Sequence, residues 1–290
     1  MSTESIRWRR RVVNIVALGL GSLATLLGLL FLTWILWVTV KNGLAAIGPR
    51  LFTGITAHAA EGGLANAIVG SLIMDGMALM LCAPIGVLAG TFLAEFASRS
   101  RLGATIRFLN DILLSAPSIV LGLFVYVVVV LPMSNFTNGA VSFSGLAGAV
   151  ALALIGLPVI VRTTDEMLQL VPATLREATL SLGIPQWKAT LQVLMRAAVS
   201  GIVTGVLLAL ARLAGETAPL LFTAFGNNFM TLNPLDKMAS VPVAIYQYTN
   251  DPSPELHAIA WAGALLITLF VLALGLATRA LLHRYRSPHD

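Results

Sequence analysis

Cysteine, lysine and histidine are all scarce in this chain, and each scarcity removes a class of function. Cys82 is the single cysteine among 290 residues and lies in an apolar run, so neither an intrachain disulfide nor a cysteine-based metal site can form. The three lysines, Lys41, Lys188 and Lys237, follow Val40, Trp187 and Asp236. A P-loop needs Gly-Lys-Ser/Thr to cradle phosphates, so this chain is not an ATPase of that kind. His58, His257, His283 and His289 are scattered without ligand spacing, which argues against a metal site. Charge is thin as well: 11% of residues, against about 25% in soluble domains. No helical repeat, low-complexity tract or nucleophile–base constellation stands out, so a membrane-embedded enzyme finds no support in the residues.

Hydrophobic residues fill the space, at 57%. Spanning a bilayer takes about 20 apolar residues, and six stretches qualify: 12–40, 65–93, 107–131, 141–161, 197–225 and 257–282. Residues 1–290 are therefore expected to form one polytopic membrane domain. Arg7–Arg11 before an apolar run resembles a signal peptide, but 12–40 is too long for one and ends in no A-x-A site. It reads as an additional, uncleaved N-terminal helix. Arginines precede the first span (Arg7, Arg9, Arg10, Arg11), lie between the second and third (Arg99, Arg101, Arg107), and follow the sixth (Arg279, Arg284, Arg286). Arg162, Arg176, Lys188 and Arg196 lie between the fourth and fifth, whereas the opposite loops hold only Lys41, Arg50 and Lys237. This asymmetry puts both termini and the loop 163–196 in the cytoplasm. The net charge of +5 sits at span ends, so it does not signal nucleic-acid binding. Pro84, the Gly156–Pro158 pair and Pro219 are expected to interrupt the second, fourth and fifth spans. Small residues such as Gly145, Gly148, Gly201 and Gly205 mark a closely packed bundle.

Against this background Arg212 and Glu216 stand out, because they fall inside the apolar fifth stretch. A bare charge at membrane depth costs about 2.5 kcal/mol or more. Their spacing of four predicts one helix face. Arginine suits an oxyanion because its planar fork presents several donors. Two readings stay open on chemistry alone: an anion pathway, or an ion pair that keys helices together. Asp75, in the second span, has no obvious partner and is expected to pair with a charge on a neighbouring helix or to sit at a wet interface. Arg107 and Asp111, at the cytoplasmic end of the third span, are expected to pair or snorkel.

The loop 163–196 carries its own local signals. Thr163 and Glu166 fit a capping box. Pro172 suits the first residue of a short helix, Gly183 its C-terminal cap, and Pro185 the start of another helix. Leu175, Ala178, Thr179 and Leu182 recur at helical spacing and predict one face. A helix–Gly–helix elbow of this kind is either a docking element for a cytoplasmic partner or a helix lying on the membrane surface.

The run REATLSLG, from Arg176 to Gly183, resembles the cytoplasmic EAA motif of ABC-importer permeases, with Thr179 in place of the usual second alanine. The run ARLAGETAPLLFTAF, from Ala211 to Phe225, resembles the fifth-span signature of the A-subunit permeases of bacterial phosphate-specific ABC transporters. Arg107–Phe124, Glu61–Ser71 and Ser240–Tyr248 are similar to further segments of that family, so the likeness covers residues 61–282. The resemblance implies an all-α fold, the type I ABC-importer permease, with a cytoplasmic coupling helix. It implies half of a phosphate pathway in a bacterial inner (plasma) membrane, the other half supplied by a homologous C-subunit permease. It also implies a cytoplasmic ATPase dimer that binds ATP and magnesium, leaving no cofactor in this chain, and a periplasmic or lipid-anchored phosphate-binding protein. Carried over by residue, Arg212, Glu216 and Thr217 belong to the pathway, and Arg176, Glu177, Ala178, Thr179 and Gly183 to the ATPase coupling. Rival readings are a permease for another oxyanion and an ion-coupled secondary transporter using Asp75 and Glu216. The second usually shows inverted repeats, and none is visible.

Overall fold

The computed structural model describes residues 3–56, 62–139 and 142–285, with side chains over 7–56, 62–139 and 142–280. Glu61, His58, Arg286 and His289 lie outside the described residues, as do the side chains of His283 and Arg284. The described backbone is helical throughout, apart from turns and one isolated bridge between Phe225 and Met238. In chain order the helices are α1 (Thr3–Ala46), α2 (Pro49–Thr53), α3 (Ala65–Thr91) and a π-turn, π1 (Phe92–Phe96). Then come α4 (Arg101–Ser115), α5 (Ser118–Val125), π2 (Tyr126–Val130), α6 (Leu131–Phe136) and α7 (Gly145–Gln169). The chain continues through α8 (Ala173–Ser181), α9 (Gln186–Ala189), π3 (Thr190–Leu194), α10 (Met195–Leu213), α11 (Ala218–Thr223), α12 (Val241–Thr249) and α13 (Pro254–Tyr285).

Among the described residues, six stretches are long and apolar enough to cross a membrane: Arg7–Ala46, Ala65–Phe96, Ser118–Phe136, Gly145–Gln169, Gln186–Leu213 and Pro254–Ala280. The number matches the sequence reading, but three positions shift. The third span begins at Ser118 rather than 107, because Pro117 forces Ala116 into extended backbone (ψ 135°) and ends α4. The fourth begins at Gly145 and runs on to Gln169, so the capping box at Thr163 is absent. Thr163 lies inside α7, where its hydroxyl donates back to the carbonyls of Val159 and Ile160, and Glu166 pairs instead with Arg162. The fifth span runs over Gln186–Leu213, not 197–225. Pro84 and Pro158 lie within continuous helices rather than breaking them.

Helix α7 is the centre of the bundle. Buried residues make up 61% of its apolar window, against 0% for α1. It packs against α3 at van der Waals range because Gly86 and Gly90 carry no side chain: a Cβ on Gly86 would fall 2.8 Å from Ile160, and one on Gly90 2.6 Å from Thr164. Each such contact exchanges a side chain for closer approach of two helices, the main source of association within lipid. Met74, Leu152, Ile155, Leu213 and Leu220 join α3, α7, α10 and α11 in one buried cluster. Helix α1 touches the bundle near its C-terminal end, where Gly43 meets Leu265 of α13. The rest of α1 presents Leu, Phe and Trp outward, as a lipid-facing helix does.

Candidate transport site and cytoplasmic elbow

The candidate transport site lies at the break between α10 and α11. Helix α10 ends at Leu213, and tight turns follow: the amides of Gly215 and Glu216 donate to the carbonyls of Arg212 (3.2 Å) and Leu213 (3.0 Å). Pro219 enters α11 in its first turn. Arg212 is thus in the last turn of one helix and Glu216 in the connecting turn, not together in mid-helix as the spacing predicted. A positive side chain at a helix C-terminus also complements the helix dipole. The depth of the break follows from its neighbours. Leu213 packs beside Gly156, whose Cβ position is also 3.2 Å from the Cys82 sulfur. Gly156 and Cys82 lie near the midpoints of their own spans, so Arg212 is near mid-depth.

The Arg212 Nε to Glu216 Oε1 distance is 3.8 Å, with Arg212 40% and Glu216 15% exposed. That is an ion pair without a hydrogen bond, and among the described residues neither side chain hydrogen-bonds to anything else. Thr217 is the N-cap of α11, but its side chain makes no capping bond. All three polar side chains therefore keep donors or acceptors available. Across the break, α5 approaches so closely that a Cβ on Gly122 would fall 2.5 Å from the Pro219 Cα. Asp75 is 8% exposed and borders a cavity of about 210 Å³ with Ser71, Leu72, Ala214, Val241 and Ile267. Among the described residues it has neither an ion pair nor a hydrogen bond, so the expected pairing with a neighbouring charge is not found.

The elbow is formed by α8 and α9. Pro172 is the N-cap of α8, and Gly183, at φ +74°, turns the chain after it. Only glycine adopts that backbone without cost. Pro185 caps α9. The face expected from Leu175, Ala178, Thr179 and Leu182 is divided: Thr179 is buried at 6%, while the other three point outward with Glu177. Leu182 (78% exposed) and Trp187 (56%) leave apolar surface open on the elbow. Arg176 turns inward. Its Nε and Nη2 donate to both oxygens of Glu95, at 3.0 and 2.7 Å. These bonds hold the Arg176 guanidinium above its ordinary pKa, with burial pulling the other way.

Beneath the elbow a polar cleft of about 780 Å³ is lined by four arginines and four acids. Arg107 pairs with Asp165 at 2.6 Å, and Arg162 with Glu166 at 2.8 Å and Asp111 at 3.5 Å. Of the two fates expected for Arg107 and Asp111, pairing or snorkelling, each pairs, with Asp165 and Arg162 respectively and not with each other. Both lie in α4, ahead of the third span. The sequence reading missed Glu95, Asp165 and Gln186. For Glu95 the sequence shows only that a carboxylate at the end of an apolar span requires a cation; that the cation is Arg176, 81 positions away, is not a local property.

Residues 86–287 match the family described as "Binding-protein-dependent transport system inner membrane component". The "Phosphate transport system permease protein PstA" of Xylella fastidiosa (strain 9a5c) is 52% identical over 293 aligned positions, covering 100% of both chains. The chain belongs to the PstA family of inner-membrane permeases. The PstA protein of Haemophilus influenzae is 51% identical over 93% of this chain and 94% of its own. A "Probable phosphate transport system permease protein PstA" of Methanocaldococcus jannaschii is 37% identical over 91% of this chain and 92% of its own. Among solved structures, a chain of the MetNI methionine ABC transporter superposes with a TM-score of 0.57 at 20% identity, covering 75% of this chain and 95% of that one. The last likeness speaks for the fold: an ABC-importer permease.

Proposed function

We propose that this permease forms half of the membrane pathway of an ATP-driven phosphate importer and couples that pathway to a separate ATPase. The observation that carries the reading is the full-length identity to phosphate transport system permeases. Arg212 supports it: the guanidinium sits at a helix break near mid-depth, with its donors free for an oxyanion. An ion pair serving only to key helices would join two helices and be closed by hydrogen bonds, whereas this one is loose and local.

The pathway residues in this proposal are Arg212, Glu216 and Thr217. The coupling surface is the outer side of the elbow, with Glu177, Ala178 and Leu182 facing the cytoplasm and Gly183 setting the turn. Thr179 and Arg176 hold the elbow from within. The remaining parts are a homologous permease completing the pathway, a cytoplasmic ATPase dimer that binds ATP and magnesium, and a phosphate-binding protein on the outer side. In this reading both termini face the cytoplasm of a bacterial inner membrane, which the arginine distribution supports.

The test is reconstitution of this chain with its neighbouring permease, ATPase and binding protein in liposomes. ATP-dependent uptake of labelled phosphate that excess sulfate does not reduce is the expected result. Uptake driven by a proton gradient without ATP, or by this chain alone, would overturn the reading.

A further inference from the structure

Three side chains from outside the second span converge on its last turn. That turn is π1, whose i→i+5 geometry moves the Ala97 amide onto the Phe92 carbonyl, at 2.9 Å. In an α-helix the Ala97 amide would bond to Leu93. The Leu93 carbonyl is thereby released, and Arg107 Nη2 donates to it at 2.8 Å. The Glu95 carbonyl takes Gln186 Nε2, also at 2.8 Å. The Glu95 carboxylate, 2% exposed, takes the bidentate fork of Arg176. Gln186 and Arg176 both belong to the elbow, on either side of Gly183.

We propose that Glu95 is a positioning residue for coupling: through it the elbow grips the cytoplasmic end of the second span, so that movement of the elbow is delivered to α3 and, through their close packing, to α7. This rests on the reading of the elbow as the ATPase contact. The physical case has three parts. A bidentate Arg–carboxylate pair fixes orientation as well as distance. A buried charge binds its partner firmly, because separation strands it in a dry site. Two attachments from one elbow to one π-turn, one through the side chain and one through the backbone, prevent rotation as well as separation. Arg107 and Asp165 tie the same turn to α4 and α7, so the elbow, π1 and α7 share one chain of contacts.

The test uses the complete transporter in liposomes and reads phosphate taken up per ATP hydrolysed. Glu95→Gln removes the charge but keeps the shape. We expect the uptake-to-hydrolysis ratio to fall about tenfold, within the range of ordinary coupling energies. Glu95→Gln combined with Arg176→Gln leaves no stranded charge, and we expect it to stay uncoupled. A merely structural tie predicts the opposite: recovery in the double variant, or uptake and hydrolysis falling together at an unchanged ratio. Either outcome, or a wild-type ratio in Glu95→Gln, overturns the proposal. Should Glu95→Gln fail to assemble, Arg176→Lys decides, because it keeps the charge and gives up the fork; a wild-type ratio there is equally fatal. Gly183→Val serves as the control. If it too keeps full coupling, the underlying reading of the elbow falls; if it uncouples while the Glu95 variants do not, only the Glu95 proposal falls.

Discussion

At the scale of single residues, the chain accommodates its ionisable groups in two distinct ways. Glu95 and Asp165 are closed by bidentate arginines, whereas Arg212 and Asp75 are left open. The open pair carries the sharper consequences. Arg212→Gln is expected to abolish phosphate uptake while the complex still assembles, and Arg212→Lys to keep part of it, because the charge remains and the fork is lost. Neutralising both, as Arg212→Gln with Glu216→Gln, is expected to stay inactive, since the positive potential is gone. Recovery of uptake in that double variant would show the pair to be structural. Asp75 is an uncompensated polar group beside an apolar cavity. Asp75→Leu should therefore stabilise the chain, by about 1–3 kcal/mol on the scale of buried unpaired groups. A rise in thermal midpoint of the purified complex would register it, and an unchanged or lower midpoint would mean that the carboxylate has a partner elsewhere in the assembly.

At the scale of elements, Gly183 decides the elbow. Its positive φ occurs where a Cβ would meet no atom within 4 Å, so any substitution strains the backbone without causing a clash. Gly183→Val is expected to leave membrane insertion intact and to cut transport sharply; full uptake by this variant would remove the elbow from coupling. The same elements explain what was legible in sequence. Proline and glycine signals within the elbow are local, and Pro172, Gly183 and Pro185 act within one residue of where expected: Pro172 and Pro185 are N-caps, and Gly183 follows the C-cap Leu182. Apolar length is also local, and it delivered the number of spans. What failed was register. Hydropathy does not report where a helix ends when apolar residues continue past the end, as they do from Ala214 to Phe225. Nor does it place Ala116–Pro117 as a break inside an apolar run. The Arg212–Glu216 pair was legible as two charges in an apolar stretch and misread as geometry, because the i,i+4 rule presumes a continuous helix and α10 stops at Leu213. Glu95 depends on a contact 81 positions away, which no local pattern carries.

At the scale of the whole molecule, α3 and α7 form a tight centre and α1 an outlying helix. Most arginines, Arg50 and Arg212 excepted, lie at the span ends assigned to one side, and this gives an expected orientation. Cytoplasm-specific reporters inserted near Leu182 or after residue 280 should be active, and an export-specific reporter inserted between Asn228 and Asp236 should be active on the other side. Export-specific activity at Leu182 would invert the topology and take the elbow away from any ATPase.

The early end of α10 also decides where water must go. The break near mid-depth leaves the Arg212 and Glu216 side chains in a loose ion pair without hydrogen bonds, and lipid supplies none. The turn 214–217 therefore has to be bathed by solvent from one side, which makes it reachable by reagents that cannot cross a bilayer. Gly215 has room for a side chain, its nearest obstacle being the Arg212 carbonyl at 3.8 Å. In a Cys82→Ala background, Gly215→Cys should react with a membrane-impermeant maleimide in intact vesicles. Leu29→Cys, on the lipid-facing side of α1, should remain unlabelled under the same conditions. Equal protection at both positions would mean that the break is sealed, and that an anion reaching Arg212 must first open the bundle.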